Sequence, residues 1–597
     1  MVRSISTISQ LSKVDFSKKY EEAVKTLNTL QSNAQTLERI RKERDKRSSF
    51  IIPNMISFIE RAGMSMDDID KLSIIHVCGT KGKGSTCAFS ECILRQQGYK
   101  TGFFSSPHLV EVRERFKING MSISKESFSS YFWEVYSRLD ETKDSHNGTM
   151  PAYFGFLTVM AFHIFMKENV DVAIMEVGIG GQYDSTNVIR KPVVCGVTSL
   201  GLDHTSILGT SIEKIAWNKA GIFKPNSVAV TVDQKMEAMK VLQERAQENE
   251  IPLYVVPPLQ DYSSFGDLQL GIRGTKQTLN ASLALQMCKL WMDKKEQENG
   301  SIISHGTASS GLSSDLPVLA AFSLTSQMQK GLTVCHWPGR NQCIKRTGIT
   351  YYLDGAHTVE SIEQCVEWFK EASAEERSSI LGKVVKILVF NSTGDRDPAT
   401  LITPLVDCDF SAAVFCPNII CDTFNTADMT NFTVSRERQD QKCLENKEIW
   451  ERVSRLKLNH SKNGLDFDRE IGLQPNQKRR KHQHIYNESE VEIINISHAD
   501  QSRLELSVKE VMPSAVEDLK DNIGQLQNEI VIWTESFPSI SKALSWATQG
   551  RDPSLIENLK IPCVPNNLKE ADHIQILITG SLHLIGGVMN VINEEVL

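Results

Sequence analysis

The chain has 597 residues, more than one hydrophobic core accommodates, so two domains with extensions are expected. A hydrophobic share of 40% and a charged share of 23% are those of a soluble globular protein. The net charge of −7 disfavours nucleic acid as a bulk partner, so an anionic substrate would need a local basic pocket.

The amino terminus, Met1 to Ser9, carries serine and arginine, and no acid precedes Asp15. A weak mitochondrial transit segment and a frayed cytosolic terminus both fit, and both stay open. Residues 16–62 read as helices, with Tyr20, Ala23, Val24, Leu27 and Leu30 at helical spacing. Then Ile74-Ile75-His76-Val77-Cys78 reads as a buried strand, Gly79-Thr80-Lys81-Gly82-Lys83-Gly84-Ser85-Thr86 as a loop, and Cys87 to Gln97 as a helix. Strand, glycine-rich loop and helix in that order make a phosphate cradle, because glycines let backbone N–H groups turn onto phosphate oxygens at a helix N-terminus. Lys83 would reach the outer phosphates, and Ser85 or Thr86 would sit near a magnesium ion. The usual Walker spacing wants a glycine where Val77 stands, so this loop is short.

Further short Val/Ile/Phe-rich runs follow at Thr101–Ser105, Val170–Val177, Val193–Leu200 and Ser227–Val232, separated by helical lengths. That alternation predicts a mostly parallel sheet with helices on both faces. The longest apolar stretch, Tyr153 to Met166, is too short to span a membrane and contains His163. Residues 301–316, rich in Ser and Gly, read as a linker. A second α/β series starts near Gly331, with strands at Thr350–Leu353, Val384–Phe390, Ala412–Phe415 and Ile574–Ile578. Within it, residues 430–490 hold few apolar side chains and are expected to form a disordered surface insertion. The run Lys478-Arg479-Arg480-Lys481 leaves a nuclear-localisation or anion-binding patch as the alternative there. Thirteen scattered cysteines suit reduced thiols in a cytosol-like compartment, and Cys416 and Cys421 read as structural. The expected fold class is α/β with two domains. An N-terminal P-loop ATPase domain with a mostly parallel sheet spans 46–325 after an extension at 1–45, and a C-terminal Rossmann-like α/β domain spans 331–597.

Ligands of an open parallel sheet bind beyond the carboxyl ends of its strands. The second strand is followed by Ser105-Ser106-Pro107-His108. The Val170–Val177 strand carries Glu176 near its end, and Asp203 and His204 follow the next one. A buried carboxylate needs a cation. Hydroxyl, carboxylate and imidazole at one edge could hold magnesium, with His204 the unusual ligand. Alone, His204 reads as a helix cap or a satisfied loop histidine. Three more polar islands stand out: Gln277-Thr278-Leu279-Asn280, Trp337-Pro338-Gly339-Arg340, and Asp354-Gly355-Ala356-His357. Arg340 and Asp354 belong to the second series, so a cleft between domains is the natural active site.

Together these segments resemble the folylpolyglutamate synthases, of the Mur ligase superfamily. The resemblance adds Phe103 to Leu109 with Arg113-Glu114-Arg115, Tyr153 to Thr158, Ala216-Trp217-Asn218-Lys219-Ala220-Gly221-Ile222, Asn391 to Asp397, and Thr579 to Leu584. It implies magnesium ligands at Ser106, Glu176 and His204. It implies ATP contacts at Gly82, Lys83, Gly84, Ser85, Asn280, Arg340 and Asp354. It implies catalytic roles for Lys83, Lys219 and His204, with Lys219 carbamylated by carbon dioxide. Two positions depart from relatives: Gly155 stands where arginine is common, and Lys276 where histidine is common.

The implied reaction joins L-glutamate to the γ-carboxylate of a reduced folate, using ATP and passing through an acyl phosphate. The implied cofactors are ATP and Mg2+, with a monovalent cation also allowed. A monomer in the cytoplasm is expected, with a mitochondrial-matrix form also open. Neither nucleic acid nor an integral membrane segment is expected. Rivals are a dihydrofolate synthase, which shares these motifs, and a P-loop kinase or nucleotide switch. A nucleic-acid module built on Lys478–Lys481 lacks interleaved aromatics.

Overall fold

The strand β1 (Ile74–Cys78) is buried at every position, because it is flanked by parallel strands and covered on both faces. Even His76 is accommodated there. Burial pushes its imidazole down to about 3, so it is neutral, and one ring nitrogen bonds the Thr186 hydroxyl at 2.9 Å. The structure, a computed structural model, describes residues 17–31, 44–264, 266, 268–298, 307–308, 316–393, 396–421, 434–463, 532–555 and 565–593.

Nine further strands share the sheet of β1: β2 (Thr101–Phe104), β3 (Phe116–Ile118), β4 (Met121–Ser122), β5 (Val172–Glu176), β6 (Val194–Val197), β7 (Val228–Thr231), β8 (Leu253–Val255), β9 (Thr307–Ala308) and β10 (Val318–Leu319). Their order is β4-β3-β2-β5-β1-β6-β7-β8-β10-β9. From β2 to β10 through β1 the pairing is parallel, and the β3–β4 end and β9 are antiparallel. After β1 the chain runs to β2 on one side and later to β6 on the other. The loop following β1 therefore opens at the point where strand order reverses, the ordinary place for a ligand.

One face packs on the helices 17–28, Arg44–Arg61, Lys125–Glu141 and Tyr153–Lys167, the other on Lys83–Gln96, Gln277–Glu298 and Ser326–Val334. The helix Ser326–Val334 lies so close to Lys83–Gln96 that a Cβ on Gly331 would come within 2.7 Å of Ile93 Cα. That helix therefore belongs with the first sheet, and the second series starts after it rather than at Gly331.

The second sheet has the order β11-β12-β16-β13-β14-β15. Its strands are β11 (Gln342–Arg346), β12 (Ile349–Leu353), β13 (Val384–Phe390), β14 (Ala412–Phe415), β15 (Trp533–Ser536) and β16 (His573–Thr579). The run β12-β16-β13-β14 is parallel, and β11 is an antiparallel edge. The described residues up to Trp450 and from Thr534 onward form one compact unit.

The expected polar insertion is corrected over part of its length. A helix spans Arg436–Asn463, and Cys443, Asn446 and Trp450 are buried along it. The Trp450 ring lies 6.2 Å from that of Phe410, and the Asn446 side chain accepts from Ser392 at 3.2 Å. A stretch poor in apolar residues still packs when its few apolar positions share one helix face. The run Lys478–Lys481 and most of the linker 301–316 lie outside the described residues.

Trp450→Ala should lower stability by about 3–5 kcal/mol through the cavity it leaves. Chemical and thermal denaturation would measure this, and replacing 430–490 with a short linker should destabilise the fold as well.

Candidate active site

The loop between β1 and the helix Lys83–Gln96 is shaped by two glycines at positive φ, Gly79 at 148° and Gly82 at 90°. Neither position has room for a side chain. A Cβ on Gly79 would lie 1.8 Å from Thr198 Oγ1, and one on Gly82 would lie 2.2 Å from Asn280 Oδ1. The loop is tied to the end of β6, since the Thr80 and Lys81 amides both donate to Ser199 O, at 3.0 and 3.1 Å. Asn280, buried at the start of its helix, is thus held against the loop, where the sequence placed it for ATP. Its Oδ1 accepts from Thr86 at 3.3 Å.

Lysines converge on this loop. Lys83 Nζ donates to Gly79 O at 3.2 Å. Lys219, the last residue of the helix Ile212–Lys219, sends its amine to the same carbonyl at 2.6 Å and is 3% exposed. Burial, with Lys83 nearby, pushes the Lys219 amine down to about 7. Lys81 instead ion-pairs with Asp203 at 3.0 Å.

Glu176, at the carboxyl end of β5, accepts from the Ser106 amide at 3.0 Å. Burial raises its carboxyl above the usual range, and Lys83 and Arg340 oppose that rise. No described cationic side chain forms an ion pair with it. Ser106 and Glu176 are therefore brought together as expected. His204 is not joined to them. It is exposed, sits at φ 50°, and its amide is held by Asp203 Oδ1 at 2.9 Å. It is close enough to Lys83 and Lys219 to feel their charges. Among the described residues, no group of three or more His, Cys, Asp or Glu side chains is gathered to hold a metal. The oxygen donors of Glu176 and Ser106 suit magnesium, which takes one or two protein oxygens and completes its shell with phosphates and water.

Residues just before β11 and just after β12, at one edge of the second sheet, complete the site. Arg340, Glu176, Ser106, His108 and Lys117 line one cavity with Trp337. The Trp337 ring lies 5.3 Å from that of Phe103, and Lys117 Nζ lies 5.6 Å from the centre of the same indole. Asp354 accepts from the amides of Asn341 and Ala356, each at 2.9 Å. Burial raises its carboxyl, and Arg340 works against that. A second bridge joins the two halves: Arg396 donates to Asp203 at 3.2 Å. Burial works against the Asp203 carboxylate, but Lys81, His204 and Arg396 hold it well below the usual range. Gly394 and Asp395, in the same motif as Arg396, lie outside the described residues.

Sequence reasoning left two contributors without a role. The sequence places Asp203 at the sheet edge after the Val193–Leu200 strand but assigns it no partner, because its bonds to Lys81 and Arg396 need three-dimensional proximity. Arg115 stands in the sequence only as part of a motif. It is buried, donates to His108 Nδ1 at 3.0 Å, and lies 5.7 Å from the centre of the Tyr153 ring.

No family model matches the chain. It is 42% identical over 589 residues to a Bos taurus protein named mitochondrial folylpolyglutamate synthase, covering 96% of this chain and 92% of the relative. The Homo sapiens protein of that name is 42% identical over 588 residues, with the same coverage. Among solved structures, Mycobacterium tuberculosis folylpolyglutamate synthase complexed with ADP superimposes with a TM-score of 0.60 at 18% identity, covering 97% of this chain and 99% of that one.

Asp203→Asn should weaken both bridges it makes while leaving the sheet intact. The expected outcome is about a tenfold loss in kcat/KM for ATP, or roughly 1.4 kcal/mol, read by steady-state kinetics beside an unchanged circular dichroism spectrum.

Proposed function

Because the chain belongs to the folylpolyglutamate synthase family, we propose that the cleft holding the phosphate loop, Glu176, Arg340 and Asp354 joins L-glutamate to a folate at the expense of ATP. The observation that carries this is the meeting of a phosphate loop from the first sheet with Arg340 and Asp354 from beyond the second. The substrate is a reduced folate, and its γ-carboxylate attacks the γ-phosphate of ATP. The new O–P bond gives an acyl phosphate, and ADP leaves. The amine of glutamate then attacks the acyl carbon, phosphate departs, and the amine loses a proton as the amide forms.

This chain's own groups meet the physical demands of those steps. Two anions must approach each other, so fixed cations have to offset their repulsion. Lys83 and Arg340 act on the Glu176 region from opposite halves and supply them. Gly82, Gly84 and Ser85 open the helix whose N-terminus faces the phosphates. Asn280 braces that turn. Asp354 orders its own turn through two backbone amides beside Arg340. Closure of the second half over the loop keeps water from the acyl phosphate. Glu176 and Ser106 would hold magnesium, with His204 approaching from its loop. When bound, the ion would screen the phosphate charge.

Lys219 is read as a carbamate-forming lysine. Its amine, near 7, is neutral in a large fraction at physiological pH and can add to carbon dioxide. The new N–C bond releases one proton and leaves a carboxylate beside Lys83. His204, which lies within reach of the charges on Lys83 and Lys219, completes the catalytic set with them. The bovine and human relatives are named as mitochondrial. We place this protein in the mitochondrial matrix as well as the cytoplasm, acting as a monomer. Among the described residues no helix is long and apolar enough to cross a membrane.

ADP release with tetrahydrofolate or dihydropteroate, each with and without glutamate, tests the assignment. Glutamate-dependent release with tetrahydrofolate is expected, and glutamate-dependent release with dihydropteroate but not with tetrahydrofolate would favour the dihydrofolate synthase rival. Glu176→Gln should lower kcat about 100-fold or more while changing folate affinity little; turnover near wild type at saturating magnesium would remove Glu176 from the site.

Lys219→Arg keeps the charge but cannot form the carbamate, so turnover should nearly vanish in a folded protein. In wild-type enzyme stripped of carbon dioxide, recovery at fixed dissolved carbon dioxide should be faster at pH 8 than at pH 6. The amine gains its neutral form as pH rises through about 7, so equal recovery rates would contradict the carbamate.

A further inference from the structure

Lys219 enters the site at the end of a helix, and its peptide is gripped from behind. The Gln182 amide donates to Asn218 O at 2.7 Å. A Cβ on Gly181 would lie 2.7 Å from Asn218 O and 2.8 Å from Lys219 O, so the loop after β5 rests directly on the Lys219 peptide. Asn187 Nδ2 ties Gln182 O to Gly221 O, at 3.0 and 3.1 Å. The loop that follows Glu176 and the helix that ends in Lys219 thus share one seam.

Arg245, on the helix Met236–Glu248, closes that seam from the outer side. One guanidinium nitrogen donates to Gln182 Oε1 at 2.8 Å, and another to Glu248 at 2.7 Å. The guanidinium carbon lies 4.9 Å from the centre of the Trp217 ring, two residues before Lys219. Its remaining nitrogen, Nε, is buried without a hydrogen-bond partner. Leaving a buried N–H unpaired costs free energy, and an aliphatic side chain would avoid that cost. An aliphatic side chain could not hold Gln182 and Trp217 together, which only a planar fork does.

We propose that Arg245 is a positioning residue for Lys219, clamping Gln182 and Trp217 so that the Lys219 amine meets the phosphate loop at a fixed place. This rests on the reading of Lys219 as the carbamate-forming lysine. Arg245 is not among the residues that line the cleft, so its effect must appear in turnover and in the handling of carbon dioxide rather than in substrate affinity.

The test uses the full chain with Arg245→Ala, Arg245→Lys and Gln182→Met. Gln182→Met keeps volume and leaves Arg245 on Trp217 and Glu248, so it stands in if Arg245→Ala fails to fold. In Arg245→Ala and Gln182→Met, kcat should fall about tenfold or more with KM for folate and ATP within about twofold. The bicarbonate concentration for half-maximal activity should rise. Arg245→Lys, which keeps a cation over Trp217, should recover part of kcat. A folded variant of either kind with wild-type kcat and wild-type bicarbonate dependence would overturn the proposal. Lys219→Arg run alongside separates the two ideas. If it is inactive while Arg245→Ala is normal, only the clamp falls; if it is active, the Lys219 reading fails and the clamp with it.

Discussion

Two lysine amines, Lys83 and Lys219, donate to one carbonyl oxygen, that of Gly79. The rest of the site is arranged around this crowding of positive charge. A single carbonyl cannot neutralise two ammonium groups, and one of them is almost wholly removed from water. A fall from 10.5 to about 7 for Lys219 corresponds to roughly 5 kcal/mol against its charged form. The sign follows from linkage: between those values the unfolded chain binds the extra proton, so this group's contribution to stability improves as pH rises from about 7 toward 10.5. A protein keeps a buried lysine at that cost where a neutral amine, or a carboxylate made from it, has something to do.

The acids at the same edge answer that charge in different ways. Asp203 pairs directly with Lys81 and Arg396 and stays ionised. Glu176 makes no such pair with a described residue, and burial raises its carboxyl. One carboxylate has cationic partners inside the protein, while the other has none among the described residues and is held by the Ser106 amide. Asp203 also links the phosphate loop to the second half of the chain.

Much of this was legible in the sequence because strands buried on both faces must be apolar throughout. Val384–Phe390 and Ala412–Phe415 begin and end where the apolar runs do, and β1 matches to the residue. The weaker signals belonged to short edge elements. β3, β4 and β11 are antiparallel, partly exposed, and too brief for periodicity to register. The helix Arg436–Asn463 was hidden because composition averages over a stretch, whereas packing needs only Cys443, Asn446 and Trp450 on one side. At the site, residues adjacent to strand ends were found by the rule for open sheets. Contacts that join distant segments, such as Arg396 to Asp203 or Arg245 to Gln182, leave no trace in local spacing.

The glycines of the phosphate loop and the polar groups around it form one mechanical unit. Gly79 and Gly82 are small because Thr198 and Asn280 occupy the space a side chain would need. Thr198 follows β6 and Asn280 opens the helix Gln277–Glu298, so two remote segments set the loop's width. Glu176 ends β5, and the loop after it rests on the Lys219 peptide. Strands β5, β1 and β6 are neighbours in register, so carboxylate, phosphate loop and the Asp203 turn cannot shift independently. The rigid element is the central sheet, and the reacting groups project from its edge. The second half reaches that edge through the side chains and turns of Arg340, Asp354 and Arg396. That division has one sheet fix the positions of the loop and carboxylates while the other contributes single side chains to them, an arrangement in which the supporting elements, not the loops, set the geometry of the site.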